Sequence, residues 1–289
     1  MVSIIIINYN QKTLLKDCLD SVYEKFRFEF EVIVINNSPN ENLEELKQLY
    51  RNIIILNNSN RGYSNANNLG AKNSSGSNLL FLNADTKIVT APGDDLFKLL
   101  DNPETGAVGL KLFNEDGTFQ LSFWKENNFL NEISNKNEEK EFEKRNAIAI
   151  GLKETEYSGI KEVDWVTGAA LAIRKDVFLK AGGFDEKFFL FYEDADLCKR
   201  LKDAGYKNMF YPFCNIIHYK GEIVNQNFQT DTYYYSKESQ LYYYRKHCGI
   251  LDRVSLRFYL FVKFFILTVT GFKKLNAQIL MLTMGVKRK

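Results

Sequence analysis

Val2-Ser3-Ile4-Ile5-Ile6-Ile7-Asn8-Tyr9-Asn10 opens the chain with a short, unbroken apolar run that ends in amides. A run this short, with no charge inside it, reads as a strand buried on both faces, as in a parallel sheet covered by helices. Beyond it, Asn10 reads as an N-cap, and Leu14, Leu15, Cys18, Leu19 and Val22 recur at helical spacing. Residues 31–35 repeat the strand pattern. Leu43, Leu46, Leu49 and Tyr50 mark a second helix, residues 53–56 a third strand, and a helix is expected after Gly62 before residues 79–82 return as a fourth strand. This βαβαβ order predicts an α/β fold, a Rossmann-like and mostly parallel sheet flanked by helices.

In such open sheets ligands bind beyond the carboxyl ends of the strands. The polar residues there are Asn8-Tyr9-Asn10, Asn36-Asn37-Ser38, residues 57–62 and Asn83-Ala84-Asp85. Four successive strands ending in Asn or Asp exceed what turn chemistry requires. Further on, residues 107–113 and 118–124 flank Asn114-Glu115-Asp116-Gly117, a hairpin signal. Residues 127–146 are charged, Asn-rich and poor in apolar side chains, and are expected to form a mobile surface excursion. A strand over 163–173 leads through a short helix to Gly182-Gly183. Residues 193–204 form another helix, stopped by Gly205.

The expected organisation is one domain over 1–225, with a nucleotide-binding half (1–105) and an acceptor or catalytic half (106–225). A basic, aromatic-rich helical appendage follows over 226–289. At 289 residues and 45% hydrophobic content the chain can build a full-sized core. Its four cysteines are scattered without metal-ligand spacing and read as buried thiols of a reducing compartment. The amino terminus lacks the basic region and cleavage site of a secretory leader, so a cytoplasmic location is expected. Net charge is +2, yet the segment from Arg245 onward holds ten basic residues against Asp252 alone, leaving −7 for everything before it. The tail therefore expects an anionic partner, and the acidic body argues against nucleic acid.

Three ionisable positions stand out. Asp85, at a strand tip, can face a Mg²⁺ or Mn²⁺ ion, which prefers oxygen ligands and stabilises charge on phosphate oxygens; an Asp opening a turn is the plainer reading. Asp194, beside Glu193, is a candidate general base if a desolvated cleft raises its pKa. Acids in a first helical turn also simply favour the helix dipole, and Asp196 with Arg200 reads as an ordinary i,i+4 pair. His218 closes a short apolar stretch and is a competent Mn²⁺ ligand or a hydrogen-bonded structural group.

Taken in order, residues 4–10, 32–38, 60–70 (Asn60-Arg61-Gly62-Tyr63 onward), 82–86, 165–169 and 182–200 resemble the successive motifs of inverting glycosyltransferase family 2. The Asn-Arg-Gly-Tyr and Phe-Tyr-Glu-Asp-Ala-Asp-Leu-Cys-Lys-Arg versions look most like its bacterial rhamnosyltransferase-like branch. The resemblance covers residues 2–221 and implies a GT-A fold. It implies that Asn8, Tyr9, Asn10 and Asn36 line a nucleobase pocket, and that Asn60, Gly62 and Asn67 lie beside ribose and diphosphate. Asn83-Ala84-Asp85 takes the family's Asp-X-Asp position, with Asp85 and His218 as metal ligands. Asp194, with Glu193 beside it, becomes the base, and Trp165 and Gly168 border donor sugar and acceptor. Two departures are Asn36 where the family usually has Asp, and Asn83 where it often has the first Asp; an amide accepts hydrogen bonds but brings no charge.

The implied activity is inverting transfer of a sugar, with rhamnose the leading candidate, from a dTDP- or UDP-linked donor to a glycan or lipid-linked saccharide in cell-surface polysaccharide synthesis. A divalent cation, Mn²⁺ or Mg²⁺, is the implied cofactor. Two alternatives stay open: a non-catalytic sugar-nucleotide or glycan-binding module, and a sugar-phosphate nucleotidyltransferase, although no Gly-rich phosphate loop follows the first strand. Residues 258–272 are apolar but too short to span a bilayer, and with residues 279–286 they read as helices lying on the cytoplasmic face of the membrane. Burial of the same helices against the protein is the competing reading. Tyr233-Tyr234-Tyr235 and Tyr242-Tyr243-Tyr244 are expected to pack between helices.

Overall fold

The computed structural model describes residues 1–38, 40–144, 147–219, 226–271 and 273–288. The strands are β1 (Val2–Asn8), β2 (Phe30–Asn36), β3 (Ile53–Asn57), β4 (Asn78–Asn83), β5 (Thr86–Thr90), β6 (Thr105–Phe113), β7 (Phe119–Gln120), β8 (Phe123–Trp124), β9 (Lys161–Val163), β10 (Trp165–Val166), β11 (Ala170–Arg174) and β12 (Lys207–His218). The helices are α1 (Lys12–Lys25), α2 (Leu46–Leu49), α3 (Tyr63–Lys72), α4 (Asp94–Asp101), α5 (Phe129–Glu143), α6 (Ala147–Glu156), α7 (Lys175–Lys180), α8 (Glu193–Asp203), α9 (Gln226–His247), α10 (Ile250–Thr270) and α11 (Lys274–Thr283). The expected domain boundary at residue 225 and the last residue, Lys289, lie outside the described residues.

The main sheet runs β3-β2-β1-β4-β11-β6-β12-β5, with β7 and β9 paired at its flank. Strands β1 to β4 are mutually parallel. Strand β11 then enters antiparallel between β4 and β6, and β12 runs parallel to β6 and antiparallel to β5. Both faces are covered. Ile4, Ile6, Val32 and Val34 meet Leu15 and Leu19 in one apolar layer, while Ile5, Ile33 and Ile35 meet Ala66, Phe178 and Leu197 in the other. Alternate residues of each strand serve opposite layers, which is why the strand sequences are continuously apolar.

A third cluster joins the C-terminal helices to this body. Tyr234, Tyr243, Tyr244, Leu256, Leu260 and Phe264 pack with Phe188 and Ala195. Tyr234, Tyr243 and Tyr244 are buried, so these aromatics pack between helices as expected. Asp196 locks the same junction, meeting Arg200 at 2.8 Å, His247 at 2.7 Å and Lys246 at 2.6 Å. The Asp196–Arg200 pair is structural, and Arg200 also donates to the carbonyls of Ala181 and Gly183.

Three expectations change. Asn10 does not cap α1: it adopts φ +55, its N–H donates to Ser38 Oγ, and Gln11 takes the cap position. Asn tolerates this left-handed turn, which carries the chain off the sheet edge. Residues 127–146 are not a surface excursion but contain α5, capped by Asn128, whose side chain accepts from Asn131 N–H at 2.8 Å. Glu132 of α5 is buried among Tyr192, Gln240 and Tyr244, partners from distant parts of the chain that local composition cannot reveal. The strand over 163–173 breaks into β9, β10 and β11, because Thr167-Gly168-Ala169 leaves the ladder between β10, which pairs with β8, and β11. The hairpin stands: β6 and β7 pair antiparallel, with Gly117 at φ +82 in the turn.

Candidate active site

Parallel register places Asn8, Asn36 and Asn57 side by side at the ends of β1, β2 and β3. Their side chains form a ladder. Asn8 Nδ2 donates to Asn36 Oδ1 at 3.2 Å and to Glu41 Oε2 at 2.8 Å, and Asn36 Nδ2 donates to Asn57 Oδ1 at 3.1 Å. Asn36 Oδ1 also accepts from Ser38 N–H. Amides satisfy both sides of such a row at once, since each carries a donor and an acceptor. The ladder holds the loops that leave the strand ends.

Next along the sheet edge, antiparallel pairing of β12 with β5 sets His218 opposite Thr86 and so beside Asp85. His218 Nε2 lies 3.4 Å from Asp85 Oδ1 and 3.5 Å from Asn83 Nδ2. Gln120 fixes the ring. Its Nε2 donates to two carbonyls, Phe113 O and His218 O, so its Oε1 must accept, and the atom facing it at 3.1 Å is His218 Nδ1. This contact orients the ring so that Nε2 faces the Asp85 carboxylate. One imidazole and one carboxylate are a donor set that would suit a divalent cation such as Mn²⁺. Among the described residues no group of three His, Cys, Asp or Glu is placed to hold a metal ion.

Across from this pair stands the start of α8. Phe191 and Tyr192 both hold left-handed backbone, φ +68 and +67, a strained entry for non-glycine residues that aims the first helical turn inward. Asp194 Oδ2 accepts from Gly168 N–H and its Oδ1 from Ala195 N–H, each at 2.8 Å. Burial pushes both carboxyls above their usual range. For Asp194 these two N–H bonds oppose the rise, whereas Glu193 is driven well up by burial and by the charge of Asp194. The two carboxyls titrate as a pair, both held above the usual carboxylate range.

Asp85, His218, Glu193 and Asp194 line one cavity of about 480 Å³, together with Tyr9, Tyr63, Asn83, Ala84 and Gly168. Tyr63 bridges its two sides, donating to Asn83 Oδ1 at 2.8 Å while standing 3.2 Å from Gly168 O. Residues so far apart in sequence thus face one space.

The family model described as "Glycosyl transferase family 2" matches residues 3–155, just over half of the chain. The chain belongs to glycosyl transferase family 2. Among curated relatives, the O-antigen biosynthesis protein RfbC of Myxococcus xanthus is 30% identical over 240 residues, covering 76% of this chain and 17% of that one. The N-acetylglucosaminyl-diphospho-decaprenol L-rhamnosyltransferase of Mycobacterium tuberculosis is 29% identical over 89 residues, 31% of this chain and 29% of that one. These relatives put this family 2 chain in the rhamnosyltransferase-like branch; it spans less than a third of their length. The fold is GT-A. A mannosyltransferase from Pyrobaculum calidifontis, solved with GDP-Man and Mn²⁺, superposes with a TM-score of 0.57 at 17% identity, over 85% of this chain and 63% of that one.

Of the family 2 positions expected from sequence, Tyr9, Asn83, Ala84, Asp85, Gly168, Glu193, Asp194 and His218 line the cavity. Trp165 lines a neighbouring cavity that shares Glu193 and Asp194. Asn8, Asn10, Asn36, Asn60, Gly62 and Asn67 do not line the main cavity; Asn8 and Asn36 are ladder members, and Asn60 Oδ1 holds Gly62 N–H. Gly62 has φ +99, and a Cβ there would collide with the Phe189 carbonyl. Sequence reasoning missed Gln120, Tyr63 as a bridge, Thr167 and Phe191. Gln120 carries no local signal, since its role exists only through the β6–β7 and β6–β12 pairings. All four cysteines are free and buried, with burial pushing their thiols up to about 12, far from any nucleophilic role.

Proposed function

We propose that the chain is an inverting glycosyltransferase that moves a sugar, with rhamnose the leading candidate, from a dTDP- or UDP-linked donor to a saccharide acceptor. The observation that carries this reading is the opposition, across one cavity, of a carboxylate held by two backbone N–H groups and a carboxylate–imidazole pair. Asp194 takes the proton of an acceptor hydroxyl, which then attacks the anomeric carbon from the side opposite the diphosphate, so the configuration inverts. Rigid placement of Asp194 by Gly168 and Ala195 supplies orientation, worth several powers of ten in rate for a well-aligned pair. Asp85 and His218 would hold Mn²⁺ or Mg²⁺, which when bound offsets the charge developing on the departing diphosphate. Asn83 and Tyr63 steady that side of the cavity. Asn8, Asn10, Asn36, Asn60, Gly62 and Asn67 shape the loops around the nucleotide.

The acceptor is proposed to be a glycan or lipid-linked saccharide of cell-surface polysaccharide synthesis, reached at the cytoplasmic face of the membrane. No helix among the described residues is long and apolar enough to cross a bilayer. Helix α10 is nevertheless apolar on both sides. Leu256, Leu260 and Phe264 are buried on one, and Leu251, Val254, Phe258, Val262, Phe265 and Val269 are exposed along the other. The basic surplus of the tail supports an anionic lipid surface over a second copy of the same positive segment. On this reading residues 1–225 are the transferase unit and 226–289 its membrane-facing appendage.

Release of free nucleotide from candidate sugar nucleotides, with wild type and Asp194→Asn, tests the proposal. Turnover that disappears in the variant supports it, and no turnover in wild type with any donor favours a binding module.

A further inference from the structure

Helices α9, α10 and α11 and the loop before α8 enclose a cavity of about 380 Å³ that shares no residue with the active-site cavity. Its wall carries Lys187, Arg245, Arg257 and Lys287 against a single acid, Glu238. Lys287 meets Glu238 at 2.6 Å, so the acid is already matched. Lys187, Arg245 and Arg257 have no carboxylate partner among the described residues. Arg257 commits one N–H to Thr283 O at 2.9 Å, at the end of α11, and Arg245 lies over the Tyr242 ring, 5.1 Å from its centroid. A guanidinium has five N–H donors, so each keeps others for a ligand.

Neighbouring cations are different. Lys246 is bound to Asp185 and Asp196, and Arg288 to Asp231. The acids around the cavity are thus taken, and the uncompensated charge is concentrated on its wall. A concave wall of one sign focuses the field and draws in an anion. The wall is assembled by the fold. Gly285 stands at φ +92, and the N–H groups of Gly285 and Val286 return to Leu282 O and Met281 O, which turns Lys287 back onto α9. Lys187 comes from the opposite direction, on the loop whose Asp185 holds Tyr242 and Lys246 of α9.

We propose that this cavity is a binding site for a phosphate group, held by Lys187, Arg245 and Arg257. Arginine presents paired N–H donors that match phosphate oxygens, and lysine adds a point charge. The site stands independently of the transferase reading. Two sources offer this chemistry: free phosphate and the headgroup of an anionic phospholipid. Leu241 and Leu282 complete the lining, and Arg257 lies one turn from the exposed Val254 and Phe261 of α10, which favours the headgroup. By joining Lys187 to α9 and α10, the phosphate would fasten the appendage to the loop that runs into the start of α8.

The probes are dihexanoyl-phosphatidylglycerol below its micellar concentration, the phosphatidylcholine of the same chain length, and inorganic phosphate. Each is titrated into the full chain in EDTA at constant ionic strength, with the thermal midpoint as readout, since a ligand of the folded state raises it. The expected result is a saturable rise with phosphatidylglycerol, a weaker one with inorganic phosphate and none with phosphatidylcholine. Lys187→Gln and Arg245→Gln, both at exposed positions, should each raise the half-saturating concentration about tenfold and leave the unliganded midpoint as in wild type. Inorganic phosphate acting as well as phosphatidylglycerol supports the site and assigns it to the free anion. No saturable rise with either phosphate source, an equal response to phosphatidylcholine, or half-saturation unchanged in both variants overturns it.

Discussion

The backbone N–H of Gly168 donates to Oδ2 of Asp194 at 2.8 Å, tying the loop that leaves the sheet after β10 to the first turn of α8. That bond, with its counterpart from Ala195, fixes the carboxylate that the proposed mechanism uses as its base. Asp194→Asn keeps the shape and removes the charge. Sugar transfer should fall by about 10²–10⁴-fold, the usual share of a general base, with donor affinity nearly unchanged in a nucleotide-binding titration. Turnover close to wild type would rule the assignment out.

Glu193 titrates in the opposite sense to a stabilising ion pair. Its folded pKa is raised, so the unfolded chain releases this proton first, near pH 4.3, and stability declines as pH climbs from there toward the folded value. Glu193→Gln removes that decline. Urea midpoints measured from pH 4 upward should diverge progressively, with the variant the more stable at neutral pH; parallel curves would show that Glu193 is ionised in the folded protein.

In the proposed mechanism Gln120 acts only through its contact with His218. Gln120→Ala frees the ring to rotate or change tautomer, and outer-shell losses of this kind typically weaken metal affinity about 10–100-fold. The Mn²⁺ concentration that half-saturates the nucleotide thermal shift should rise accordingly. An unchanged Mn²⁺ dependence would remove His218 from the proposed metal site.

Gly62 combines a left-handed backbone with contact against Phe189. Gly62→Ala should cost on the order of 1–3 kcal/mol, read as a lower urea midpoint, and should loosen the loop that Tyr63 N–H anchors on Phe189 O at 2.7 Å. A midpoint equal to wild type would show that this junction yields without penalty.

The exposed side of α10 should bring the protein down with phosphatidylglycerol vesicles, less so as salt is raised. Phe258→Asp with Phe265→Asp should abolish co-sedimentation without lowering the thermal midpoint, since both side chains point outward. Equal sedimentation of wild type and the double variant would exclude α10 as the contact.

Much of this molecule was legible from local pattern. The alternating strands and helices of the first third, the hairpin around Gly117 and the helix behind Glu193 follow from apolar periodicity and turn residues, which are properties of neighbours in sequence. The order of motifs likewise marked Asp85, Asp194 and His218. What the linear chain left open were relations made by pairing and burial. Asp85 meets His218 because β12 lies antiparallel on β5; Gln120 meets His218 because β7 folds back on β6; the Glu193 carboxyl is pushed up because it is buried beside Asp194. Helix α5 looked like a solvated loop because the residues that bury Glu132 sit just before α8 and on α9. Local propensity is written in a window of a few residues, whereas desolvation and long-range hydrogen bonds depend on partners brought in from elsewhere, and only the folded chain brings them together.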